Sequence, residues 1–236
     1  MVPRQSLCAR LDDGESRALV IISAPAGFGK STLLTSWLGE RATQGRSVAW
    51  LSLDAGDNDP NVFWRYFLAA ISGLHPGVGA TASTLLGSPK PPRMPTILAT
   101  LINDLHSVSD DVIFVLDDYQ LIDTAEVHQA ITFLIENRPP RLHLIILTRA
   151  DPPLPLSRLR ASGELLELRA ADLRFGPDEA GTYLNKAMGL QLTATNISEL
   201  VRRTEGWVAG LQMAALAIRD QADVPGFIAG FTGSHR

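Results

Sequence analysis

The stretch VIISAPAGFGKSTLLTSWL, residues 20–38, decides how the rest of the chain is read. An apolar run at 19–23 leads into Ala24-Pro25-Ala26-Gly27-Phe28-Gly29-Lys30-Ser31. A segment with Leu33, Leu34, Trp37 and Leu38 on one helical face follows. The octet matches G-x-x-x-x-G-K-[ST] except that Ala24 stands in place of the first glycine. A loop of this kind turns backbone N–H groups onto a phosphate, adds a lysine for the outer phosphates and supplies a hydroxyl for Mg²⁺. Gly27 and Gly29 permit the wrap, Lys30 brings the charge, Ser31 stands where the metal ligand is needed, and the helix adds its positive end. A methyl group at position 24 is tolerated if the backbone angles there are ordinary. The plain alternative is a glycine-rich turn with a surface lysine. The strand before and the helix after favour the phosphate loop.

Working outward, short apolar runs alternate with helix-length amphipathic segments, the pattern of a parallel α/β sheet. Strands are expected at 48–53, 112–116, 144–148 and 165–168, in addition to 19–23. A helix is expected at 30–38, ending at Gly39. Asp59 can cap another, with Pro60 in its first turn and Val62, Phe63, Tyr66, Phe67 and Ile71 as its apolar set. Phe63, Trp64, Tyr66 and Phe67 read as core. The run LDAGDNDP (53–60) has the composition of a calcium loop without its spacing, and reads as a capping turn. The glycine- and proline-rich segment 75–95 reads as a long loop. Helices follow around Ile97, Leu98, Leu101, Ile102 and Leu105, and at 127–136. A proline-rich turn leads into the last strand. Beyond residue 170 only helices are expected, at 175–189, 197–203 and 207–218. The organisation expected is therefore a nucleotide-binding unit, 1–170, with a parallel sheet flanked by helices, and a small all-helical subdomain, 171–236. That subdomain is read as truncated, because FIAGFTGSHR carries no terminating feature.

Two further signals share the chemistry of the loop. The run VIFVLDDYQLI, 112–122, ends an apolar strand in two acids. Asp117 is placed to support a hydrated Mg²⁺, and Asp118 beside it to orient or deprotonate an attacking water. Arg149 follows the strand LHLIILT, on the edge where parallel sheets bind ligands, and could read a terminal phosphate. The composition excludes other classes. With 236 residues and a net charge of −4, the chain is a poor holder of nucleic-acid phosphates by itself. Cys8 is the only cysteine, so no intrachain disulfide forms, and the five histidines lack metal-site spacing. No apolar run reaches the roughly 20 residues of a membrane span, and a soluble, cytoplasmic protein is expected.

On these residues the chain resembles the ATP-binding module of MalT-like regulators, the large ATP-binding LuxR-family members among the STAND P-loop NTPases. VPRQSL resembles their entry segment, SAPAGFGKSTLL their phosphate loop and WLSLDAGDNDP their second strand and turn. VLDDYQLI resembles their acidic strand, LTRADPPLPLSRLR their arginine sensor and proline turn, and DLRF with TEGWVAGLQMAAL their helical subdomain. Alanine at position 24 is usual in that family. The resemblance implies an ATP/ADP switch with Mg²⁺ and slow hydrolysis. Ala26, Gly27, Phe28, Gly29, Lys30, Ser31 and Thr32 would hold the nucleotide, Ser31 and Asp117 the metal, Asp118 the water, and Arg149 the γ-phosphate. Glu205 to Trp207 would approach the nucleotide, with Pro3 and Arg4 bordering the base. Nucleotide-dependent self-association is implied as well. DNA would be bound only through a helix-turn-helix beyond this sequence, and the sensor domain of such regulators is likewise outside it. Two other readings stay open: an assembly module that binds without hydrolysis, and a small-molecule kinase on the same loop. The segment 75–95, with only Lys90 and Arg93 as cations, argues against the kinase.

Overall fold

The computed structural model describes residues 2–42, 46–219, 221 and 223–231. Among them a five-stranded, all-parallel sheet forms the centre: β1 (Leu19–Ser23), β2 (Ser47–Ser52), β3 (Val112–Asp117), β4 (Leu142–Thr148) and β5 (Leu165–Arg169). Their spatial order is β2-β3-β4-β1-β5. Each run predicted as a strand is one; β1, β3 and β4, buried on both faces, read as near-continuous apolar segments, while the edge strands β2 and β5 are only partly buried. Leu19 and Ile21 point to one face with Phe114, Leu116, Leu144 and Ile146. Val20 and Ile22 point to the other with Ile113, Val115, Ile145 and Leu147.

Helices cover both faces. On one lie α1 (Gln5–Gly14) and α2 (Lys30–Ala42); on the other lie α3 (Pro60–Leu74), α4 (Ala80–Leu86), α5 (Met94–His106) and α6 (Ala125–Glu136). Phe67 of α3 stacks on Phe114 of β3 at 3.9 Å between ring centres. Asp59 caps α3 as expected, accepting the N–H groups of Asn61 and Val62, and Pro60 opens it. Asp54 and Asp57 cap the single turn before it, so the run 53–60 is a pair of caps. Then come α7 (Leu156–Ala161), α8 (Ala170–Leu173), α9 (Pro177–Gly181), α10 (Ala194–Thr204), α11 (Val208–Ile218) and α12 (Val224–Gly230). No strand follows Arg169 among the described residues. The last helices share a core of their own, with Phe175, Leu184, Leu200, Leu211 and Ala215.

Five expectations are corrected. The segment 75–95 contains α4, because Ala82 is fully buried and Leu85 and Leu86 pack on the core of α3 and α5; Asp104 Oδ2 also accepts the N–H of Gly79 at its start. Helix α2 runs through Gly39 to Ala42, since the packing of Trp37 and Leu38 outweighs the ~1 kcal/mol helix cost of one glycine. Tyr66 is 53% exposed, while Phe63, Trp64 and Phe67 are core. The helix expected at 175–189 is split, α9 passing into a wider π turn over Thr182–Ala187. The proline-rich turn contains α7, held by buried Leu156 and Leu159. Of residues 227–236, on which the reading of the carboxyl end rested, 227–230 belong to α12, a helix not expected there, and 232–236 lie outside the described residues.

Candidate functional site

In a parallel sheet the carboxyl ends of all strands share one edge, and the strand order decides which ends are neighbours. Here β4 lies between β1 and β3, so the loop after β1, the acids after β3 and Arg149 after β4 converge. Ala24 leaves β1 with its N–H donated to the Thr148 carbonyl at 3.2 Å. Its methyl group is buried among Val20, Phe28 and Leu34, and its φ is not positive. Alanine therefore fills a small apolar space that glycine would leave empty. Gly27 and Gly29 have φ of +76° and +78°, the left-handed region where a Cβ is costly, and there the chain needs glycine.

Lys30 opens α2 and is only 8% exposed. Its Nζ donates to the Ala24 carbonyl at 2.7 Å and to that of Pro25 at 3.2 Å. Burial holds its pKa below the usual lysine value; the charge of Arg149 acts the same way, against Asp118 and Asp117. Ser31 Oγ donates to Asp117 Oδ2 at 3.1 Å. Burial lifts the Asp117 carboxyl above the ordinary aspartate value, offset in part by the N–H of Asp118 and the hydroxyl of Ser31. Asp118 has φ +56°, and its Oδ1 lies 3.7 Å from Arg149 Nη2. Thus Lys30, Ser31, Asp117, Asp118 and Arg149, drawn from three segments, stand in one cluster.

The remaining loop residues face two ways. Phe28 and Thr32, with Gly29, border a largely apolar cavity of about 230 Å³. Val2, Arg4, Cys8, Phe175, Tyr183 and Val208 complete most of its wall. Arg4 is fixed there by an ion pair with Glu179 at 2.8 Å, by the carbonyls of Asp172, Leu173 and Arg174, and by stacking over Phe175 at 4.9 Å. Of the pair Pro3 and Arg4, only Arg4 lines the cavity. Ala26 and Gly27 instead turn their carbonyls toward α11. Trp207 Nε1 donates to Ala26 at 3.0 Å and the N–H of Ala209 donates to Gly27 at 3.1 Å. Trp207 therefore meets the back of the loop, and Val208 is its neighbour on the cavity wall. The sequence reading missed Cys8, Phe175, Tyr183 and Gln120. For the first three no local signal exists, since the cavity is assembled from segments far apart in the chain. Gln120 stood in plain view, a polar residue one position past the buried Tyr119.

No protein-family model matches the chain. It is 35% identical to the serine/threonine-protein kinase PknK of Mycobacterium tuberculosis over 99% of its own length, and 32% identical to the HTH-type transcriptional regulator MalT of Yersinia enterocolitica over 92%. This is a MalT-like P-loop ATPase module. The module spans 21% and 24% of the lengths of those two relatives. Its fold matches that of the Walker-type ATPase PABY2304 of Pyrococcus abyssi, with a TM-score of 0.59 at 16% identity, over 95% of this chain and 69% of that one. No helix among the described residues of the MalT-like module is long and apolar enough to cross a membrane.

Proposed function

We propose that this MalT-like module binds Mg·ATP and Mg·ADP and hydrolyses ATP slowly, as a cytoplasmic switch within a longer transcription regulator. The observation that carries the reading is the meeting of Ser31 Oγ and Asp117 Oδ2 at 3.1 Å beside the buried Lys30. A hydroxyl, a carboxylate and an ammonium at the start of a helix match the charge and donor pattern of Mg²⁺ with a polyphosphate. Ser31 and Asp117 would hold the metal, which when bound neutralises phosphate charge. The N–H groups from Ala26 to Thr32 would take the β- and γ-phosphates, and Lys30 would exchange its carbonyl partners for phosphate oxygens. The base would enter the cavity beside Phe28, Arg4 and Tyr183, which supplies apolar walls of suitable size. Asp118 would orient the water, and Arg149 would move from Asp118 to the γ-phosphate. Residues 1–170 then hold the phosphates while 171–236 close the base side and carry the response onward. Self-association and promoter contact belong to the whole regulator.

A second reading, binding without turnover, is favoured by the pairing of Asp118 with Arg149, which occupies the carboxylate that would serve water. One set of assays separates the two. Calorimetry with Mg·ATP is expected to show binding by the parent chain and none by Lys30→Ala; equal affinity sinks the site. Steady-state phosphate release is expected from the parent and not from Asp118→Asn, which keeps its affinity. A parent that binds and releases no phosphate establishes the second reading.

A further inference from the structure

We infer that Gln120 is a positioning residue that couples Arg149 to Asp118, so that the preference for a triphosphate over a diphosphate depends on it. The inference rests on the nucleotide reading above and goes beyond it. The parallel ladder between β3 and β4 ends at Leu116 and Ile146. Beyond that point the two strand ends carry Asp118 and Arg149 without a backbone bond between them. The Gln120 side chain spans the gap. Its Oε1 accepts the N–H of Arg149 at 3.0 Å, and its Nε2 donates to Asp118 Oδ1 at 2.8 Å. The two contacts fix each other: a backbone N–H can only donate, so the carbonyl end of the amide must face Arg149 and the NH₂ end must face the carboxylate.

The platform beneath Gln120 is cross-linked by hydrogen bonds. Asp118 takes the left-handed conformation, and a single turn, Tyr119–Leu121, follows. Buried Tyr119 reaches His128 Nδ1 with its hydroxyl at 2.9 Å. Asn58 donates to the Leu121 carbonyl at 2.8 Å and accepts the N–H groups of Asp123 and Thr124. Arg149, by contrast, is 53% exposed along its side chain and is held at its base by the bond its N–H donates to Gln120. Asp118 Oδ1 thus accepts from the amide of Gln120 and faces the guanidinium of Arg149 across 3.7 Å. When a γ-phosphate competes for that guanidinium, Gln120 keeps the Arg149 backbone in place and keeps a donor on the carboxylate left behind.

The test measures affinities of the purified chain for Mg·β,γ-methylene-ATP and for Mg·ADP by calorimetry. Gln120→Met and Gln120→Ala are expected to lower the ratio of the two affinities about fivefold, the weight of one ordinary hydrogen bond. Affinity for Mg·ADP should stay at the parent's value, which a merely structural role would not allow, while the thermal midpoint falls by a few degrees for the two lost hydrogen bonds. Arg149→Ala should lower the ratio too, and adding Gln120→Met to it should cause no further loss. An unchanged ratio in both Gln120 variants overturns the inference, as does an equal loss of Mg·ADP affinity or an additive double variant. A parent that binds both nucleotides equally also overturns it while nucleotide binding stands. A parent that binds neither removes the nucleotide reading itself.

Discussion

Asp118 and Gly27 show how single positions on the loop edge are set by backbone as much as by side chain. Asp118 sits at φ +56°, a conformation that aspartate, asparagine and glycine adopt at least cost. For that reason Asp118→Asn changes charge without disturbing the turn. Gly27 is constrained twice, by φ +76° and by its neighbours. A Cβ there would lie 2.6 Å from that of Ala209 and 2.8 Å from Trp207 Nε1. Gly27→Ala is therefore expected to cost about 1–3 kcal/mol and to weaken Mg·ADP binding, both read from denaturant titrations with and without nucleotide. An unchanged midpoint would show that α11 does not rest on the loop. Ala24 was legible from sequence as tolerable. That its methyl group is buried was not, because burial depends on how the strand, the loop and α2 pack together.

At the scale of elements, long amphipathic segments were readable and short ones were not. Helices α3, α5 and α6 announce themselves by apolar residues in phase, and α3 also by its cap at Asp59. Helix α7, with the sequence LSRLRA, is too short to show a period, and its prolines point to a turn. It forms because Leu156 and Leu159 are buried and because Arg160 reaches the edge strand. Arg160 Nε and Nη2 donate to Glu167 at 2.8 and 2.9 Å, and Arg169 donates to Glu167 and to Asp151. The bonds from Arg160 above all, with those from Arg169, hold the Glu167 carboxyl at about 2, below its ordinary 4.5. A depressed carboxyl favours the folded state above the unfolded pKa, and the benefit is lost as pH falls toward the folded one. The parent is expected to lose stability from about pH 4.5 down to about 2, and Glu167→Gln to lose less over that window. Urea midpoints at successive pH values check this. Identical slopes would free α7 from any dependence on that carboxylate.

For the molecule as a whole, the membership of the sheet was readable and its order was not. Each strand is an apolar run, but nothing in a run says which strand will lie beside it. The contacts that join the helical segment to the loop are equally silent in sequence. Arg4 reaches carbonyls some 170 positions away, and Trp207 reaches Ala26 across 181. These links are expected to make a bound nucleotide stabilise both segments at once. Mg·ADP at a hundredfold its Kd should add about 2.7 kcal/mol, or roughly 5–10 °C in Tm. The rise should appear as one transition in the parent and be absent in Lys30→Ala. A rise confined to one of two separate transitions would show that the helical segment melts independently of the loop.

The strand order also sets a timetable. β1 lies between β4 and β5, yet it is translated long before either. At roughly 5–20 residues per second, its neighbours follow on the order of ten seconds later. Until then the five residues of Leu19–Ser23, four of them apolar, await both partners while the motif beside them is already written in full. Translation arrested before Leu142 would leave a polypeptide that carries every residue of its phosphate loop and nowhere to seat a phosphate.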